Sequence, residues 1–183
     1  MEVASGVAHH DPSQMVHCHA TWARSTYLPT ILSVTLDLAN EAATLELGAR
    51  LAAALQPGLV VSLSGELGVG KTTVVRGCLR ALGYRGRVKS PTFTLVEVYK
   101  VSRLYLHHFD FYRFEDPREW IDAGFRDMFD GDNVCLVEWA EKAGEHLSVA
   151  DLAIQLKHAE TGRQAEITAH TEKGRQCLRQ MNT

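Results

Sequence analysis

Gly65-Glu66-Leu67-Gly68-Val69-Gly70-Lys71-Thr72 is the stretch on which the reading of this chain turns. A glycine, four residues, a second glycine, then a lysine and a threonine satisfy the spacing G-x-x-x-x-G-K-[ST]. Upstream, Leu59–Ser64 (LVVSLS) follows Pro57-Gly58 and is a short apolar run, as expected of a buried strand. Downstream, Val75, Cys78, Leu79 and Leu82 recur at helical spacing, and Gly83 supplies the stop. A glycine turn between a strand and a helix lets successive backbone N–H groups converge on phosphate oxygens, and the helix start adds partial positive charge. Lys71 is then placed to reach the β- and γ-phosphates of a nucleotide, and the Thr72 hydroxyl to ligate Mg²⁺. Leu67, Gly68, Val69, Gly70, Lys71, Thr72 and Thr73 are therefore the expected phosphate-loop contacts to ATP. Lys71, standing at a helix start, is expected to owe little to the core.

Working outward, Ser33–Leu38 (SVTLDL) alternates like a strand, and Glu41–Leu55 is a helical run with Leu47, Leu51 and Leu55 on one face. Beyond the loop helix, Phe93–Lys100 and Arg103–Asp110 read as strands. A short helical stretch over Pro117–Ala123 is broken by Gly124, and Asn133–Val137 is a buried strand. Asp151–His158 and Arg163–His170 flank a turn at Thr161-Gly162 and predict a C-terminal β-hairpin, followed by a short helix over Gly174–Met181. Strands and helices interleave first and strands pair later. That order predicts an α/β layer fold, a phosphate-loop sandwich on a mixed, mainly parallel sheet.

Two acids end strands, where the ligand crevice of such sheets lies: Asp110 after LYLHHF and Glu138 after NVCLV. Either is placed to order a metal near the phosphates, and strand position alone does not choose between them. Ser90-Pro91-Thr92-Phe93-Thr94 lies where nucleotide switches often place a hydroxyl. Arg76, Arg80, Arg85, Arg87 and Lys89 form a basic stretch; a solvated face is its ordinary reading, and an acidic partner or RNA backbone the sharper one. No N-K-x-D tetrapeptide for guanine occurs, which favours ATP over GTP, and no Arg-rich lid follows the loop, which disfavours a small-molecule kinase.

The 183 residues, 45% hydrophobic and 22% charged, suit one domain with a real core. Nineteen basic against 22 acidic side chains leave a net charge of −3, which argues against a stand-alone nucleic-acid binder. No apolar run approaches the roughly 18 residues of a membrane span, so no membrane role is expected. Residues 1–30 lack a hydrophobic period and read as a flexible tail ahead of a phosphate-loop ATPase domain over 31–183. The tail's His9, His10, His17, Cys18 and His19 match no defensible zinc spacing. The tail does not read as a secretory signal. Four scattered cysteines make no disulfide framework, and together these features predict a cytoplasmic protein.

GELGVGKTT, VKSPTFTLVEVY, HFDFYR and CLVEWAE, in this order, together resemble the TsaE (YjeE) family over about residues 33–180. The resemblance implies a Mg²⁺-dependent ATPase that supports a TsaB–TsaD pair in threonylcarbamoyladenosine modification of ANN-decoding tRNAs, touching tRNA only through that complex. It implies Lys71, Asp110 and Glu138 as catalytic residues, Thr72 and Glu138 at the metal, Asp110 and Glu41 at the nucleotide, and Thr92 and Thr94 in a switch-like segment. Ala140 stands where the family commonly has proline, a change in loop stiffness that removes no chemical group. Two other classes remain open: a kinase for a small molecule, and a nucleotide-gated binding protein with incidental hydrolysis.

Overall fold

Four parallel strands at the centre of one sheet carry the phosphate loop and both acids on the same sheet end. The computed structural model describes residues 32–101, 104–147 and 149–182; the expected tail and its histidines lie outside the described residues. The strands are β1 (Leu32–Leu38), β2 (Val60–Ser64), β3 (Val96–Val101), β4 (Leu104–Asp110), β5 (Val134–Glu138), β6 (Leu152–His158) and β7 (Arg163–Ala169). Their order is β1-β7-β6-β2-β5-β4-β3. β6, β2, β5 and β4 pair in parallel, and antiparallel neighbours flank them on both sides. The predicted C-terminal hairpin is β6–β7, and β1 pairs along β7 rather than beside its sequence neighbours.

Side-chain alternation sorts the two faces. Leu106, Leu136, Val61, Leu63 and Ile154 point into a core covered by α1 (Glu41–Ala53), α2 (Lys71–Ala81) and α4 (Glu172–Met181). Phe109, Phe111, Cys135 and Val137 point the other way, into an aromatic cluster with Phe114, Trp120 and Phe125. Short elements cover that cluster: α3 (Glu119–Asp122) and 3-10 segments at Phe125–Phe129 and Ala140–His146. His108, Asp110 and Glu138 share the face of Leu106 and Leu136, at the end where the strands stop.

Helix starts follow local chemistry. Asn40 Oδ1 accepts from Ala43 N at 3.0 Å, opening α1. Thr171 caps α4 through Gly174 N at 3.1 Å, so the helix begins at Glu172, two residues ahead of the start expected from the apolar pattern. The stretch expected as helix over Pro117–Ala123 shortens to one turn, because Glu119 Oε1 takes the Glu115 and Asp116 amides at 2.8 and 2.9 Å and Gly124 turns left-handed at φ 69°. The strand expected from Phe93 begins only at Val96. Leu95 N donates to Pro91 O at 2.7 Å, and Leu95 itself takes a left-handed φ of 64°, so Pro91–Leu95 closes as a turn.

α1 and α2 approach closely enough to need glycine at both contact points. A Cβ on Gly77 would stand 2.1 Å from Leu45 O, and one on Gly48 2.1 Å from Val74 O. Backbone oxygens cannot step aside as a side chain tip does, so Gly77→Ala forces the helices apart. We expect a loss of about 1–3 kcal/mol of stability. At about 2–4 °C per kcal/mol for a domain of this size, the melting temperature should fall by several degrees. An unchanged melting temperature would mean the helices separate without cost.

Candidate nucleotide-binding site

The turn from β2 into α2 is built on left-handed glycines: Gly65, Gly68 and Gly70 have φ of 129°, 77° and 117°. Such angles are strained for a residue bearing a Cβ. Val69 is fully buried, anchors the loop in the core and does not line the cleft, while Leu67 is exposed. A cleft of about 270 Å³ opens here, lined by loop residues Leu67, Gly68 and Gly70, by Lys71, Thr72 and Thr73, and by Asp110 and Glu138 opposite.

Lys71 departs from expectation. It is 4% exposed, and its Nζ donates to Gly65 O at 2.6 Å and Glu66 O at 2.8 Å. The same ammonium lies 3.9 Å from the centre of the Trp139 ring. Burial lowers its pKa below the usual lysine range, opposed by the charges of Glu138, Asp110 and Glu141. The side chain thus belongs to the loop's internal structure as well as facing the cleft. A phosphate at the loop competes with those two carbonyls for the ammonium.

The two acids divide their partners. Thr72 Oγ1 donates to Glu138 Oε1 at 2.8 Å. With its proton directed at Glu138, that hydroxyl has lone pairs free to ligate a cation. Asp110, opposite Glu138 in the β4–β5 register, instead gathers the switch-like segment. Its Oδ2 accepts from the Ser90 hydroxyl and from Thr92 Oγ1 at 2.9 Å, and its Oδ1 from Tyr112 N at 2.9 Å. Hydroxyl and carboxylate oxygens are a hard donor set that suits Mg²⁺, which takes few protein ligands.

The other expected residues lie further out. Thr73 lines the cleft and Arg76 Nη1 reaches its hydroxyl at 3.4 Å. Glu41, exposed at the start of α1, pairs with the same Arg76 at 3.5 Å and does not line the cleft with Lys71. Thr94 Oγ1 donates to Glu97 at 3.4 Å, away from Asp110. Arg113 also turns away, stacking over the exposed Phe93 ring at 4.1 Å. Two residues escaped the sequence reading. Trp139 takes φ 58°, ψ 40°, rare for a bulky residue, and this bend brings its indole over Lys71 and against Tyr112 at 5.2 Å. Arg163, on β7, donates to Thr44 Oγ1 at 3.2 Å, and its Nε stands 3.2 Å from where a Gly70 Cβ would be. Nothing in the sequence near Arg163 marks it; only the β1–β7–β6 pairing brings it to the loop.

A glycine loop between a central parallel strand and a helix, with strand-end acids across a cleft, defines a P-loop NTPase-like protein. The crystal structure of Bacillus subtilis YdiB is similar to it, with a TM-score of 0.72 and 31% identity over 83% of this chain and 95% of that one. Residues 38–166 match the family described as "Threonylcarbamoyl adenosine biosynthesis protein TsaE", and the chain belongs to that family. The tRNA threonylcarbamoyladenosine biosynthesis protein TsaE of Haemophilus influenzae is 38% identical over 80% of this chain and 96% of its own length. That of Bacillus subtilis is 45% identical over 59% of this chain and 67% of its own. That of a Nostoc species is 36% identical over 76% and 91%.

Proposed function

We propose that this chain is a Mg²⁺-dependent ATPase that serves tRNA threonylcarbamoyladenosine biosynthesis in the cytoplasm by acting on a TsaB–TsaD complex. The observation that carries the reading is the Thr72–Glu138 hydrogen bond of 2.8 Å at the start of the phosphate-loop helix, facing Lys71 across one cleft. In this reading the loop amides and Lys71 bind the β- and γ-phosphates, and Thr72 with Glu138 holds Mg²⁺. When bound, that ion neutralises charge on the phosphate oxygens. Glu138 orients the attacking water and Asp110 fixes the segment Ser90–Thr92 to the sheet end. Glu41, one ion pair away from α2, contacts the nucleotide at its periphery. Absence of a guanine-reading tetrapeptide favours ATP over GTP.

Arg113 stacks on Phe93, and no other arginine lines the cleft among the described residues, so hydrolysis by the chain alone is slow in this reading. Where an arginine is supplied to the phosphates it is worth about 10³–10⁵ in rate. The partner's docking surface in this reading is the exposed stretch with Arg85, Arg87 and Lys89, for which no acidic partner occurs among the described residues. It adjoins Ser90, whose hydroxyl reports on Asp110. We expect TsaB with TsaD to raise the steady-state ATPase rate, and ATP to tighten the complex by light scattering. Arg85→Glu with Arg87→Glu should weaken association without lowering intrinsic ATP affinity. A flat rate at saturating partner, with no complex in either nucleotide state, rejects the reading; a phosphorylated small metabolite in its place would favour a kinase.

A further inference from the structure

Oε1 of Glu138 receives two hydrogen bonds, one from the Thr72 hydroxyl and one shared with Nε2 of His108, each 2.8 Å long. Oε2 of the same carboxylate has none among the described residues. His108 is fully buried on β4, two residues before Asp110, and shares its face of the sheet. Nδ1 of its ring is buried with no hydrogen-bond partner among the described residues. A buried polar nitrogen without a partner is costly, so the contact with Glu138 is the one polar use the fold makes of this side chain. A carboxylate oxygen accepts, which places a ring proton on Nε2.

We propose that His108 is a positioning residue for ATP hydrolysis: its Nε2–H and the Thr72 hydroxyl together pin Oε1 of Glu138, so that Oε2 is the oxygen presented to the cleft. The proposal rests on the ATPase reading above. The last torsion of a glutamate is broad and two-fold, so packing alone sets it poorly. Two donors converging on one oxygen from opposite elements, β4 and α2, set it well. The same pair also aims the Thr72 hydroxyl, because a proton committed to Oε1 turns the lone pairs toward the cleft. Without His108 the carboxylate can rotate and exchange its oxygens, and misplacement of a group that orients water costs rate before it costs ATP affinity.

The full chain, His108→Gln and His108→Leu test this by steady-state ATPase, calorimetric ATP binding and melting temperature. Glutamine keeps an N–H near the place of Nε2; leucine fills space without a donor. His108→Leu should lower kcat about 10–100-fold, the range for lost outer-shell partners, with ATP affinity nearly unchanged. His108→Gln should regain most of that rate without needing a higher melting temperature than His108→Leu. Nitrogen-15 NMR of the wild-type imidazoles should show the His108 proton on Nε2, its signal assigned by its disappearance in His108→Gln. Parallel losses of rate and affinity overturn the proposal, as does a folded His108→Gln no faster than His108→Leu. An Nε2 without a proton in an active wild type overturns the role of His108 alone, whereas a wild type that does not hydrolyse ATP overturns the ATPase reading itself.

Discussion

Lys71→Ala should abolish measurable ATP hydrolysis, the largest single-residue loss expected in this protein. In the proposed reading the ammonium meets the β- and γ-phosphates, and no other lysine lines the cleft among the described residues. Burial has already stripped much of its hydration, as the lowered pKa records, so its interaction with an incoming phosphate is little screened. The structure adds a second effect. Lys71 ties Gly65 and Glu66 carbonyls together and sits against Trp139, so truncation also loosens the loop that carries the phosphate amides. ATP affinity should therefore fall along with the rate. Lys71→Met keeps the aliphatic stem and removes the charge together with its hydrogen bonds, so its difference from Lys71→Ala isolates the share of the loosening that comes from lost packing. Both variants should retain the wild-type circular dichroism spectrum, since α2 is held from its other end by Val74, Val75, Cys78 and Leu79 in the core. Wild-type turnover in either variant would refute the phosphate-loop reading.

The glycine loop, its flanking strand and helix, and both strand-end acids were legible in the sequence because each depends on local spacing. A left-handed glycine turn, a run of apolar residues and a helix period leave their mark within about a dozen residues. What divides Asp110 from Glu138 is not local. It depends on β4 and β5 lying side by side in a register that sets the two acids opposite each other, and on α2 bringing Thr72 to one of them only. Arg163 is further from view: it reaches the loop because β7 is inserted between β6 and β1. The late start of β3, at Val96 rather than Phe93, has a different cause. Phe93, Thr94 and Leu95 are residue types that favour strands, but a left-handed Leu95 and the Pro91 carbonyl close a turn there, which leaves Phe93 exposed under Arg113. The burial of Lys71 is non-local, as the placement of Arg163 is. A lysine at a helix start is usually solvated; here two carbonyls and an indole enclose it, and the indole arrives only because Trp139 takes a left-handed turn after β5.

Glu138→Gln should reduce kcat by about 10²–10³-fold, the scale on which removal of one preorganised electrostatic contact acts, while ATP binding changes far less. The loop amides and Lys71 lie on the other side of the cleft and do not pass through Glu138, so most phosphate affinity should survive. Glutamine is the informative replacement. Its amide oxygen can stand where Oε1 stands and accept from Thr72 and His108, so the hydrogen-bond frame persists and only the charge is lost. Glu138→Ala does more. It leaves His108 with both ring nitrogens unpartnered in the interior, at about 1–3 kcal/mol for the newly unsatisfied Nε2, while the half-buried Thr72 hydroxyl loses its acceptor. The alanine variant should therefore melt well below the glutamine variant while the two share a similar kcat. Calorimetric ATP affinity, melting temperature and kcat measured on both separate the charge from the frame. If Glu138→Gln loses affinity as steeply as rate, Glu138 contributes to binding the ground state rather than to the hydrolytic step. If it retains wild-type kcat, the negative charge at the end of β5 is not used in the reaction, and Asp110 becomes the acid to test.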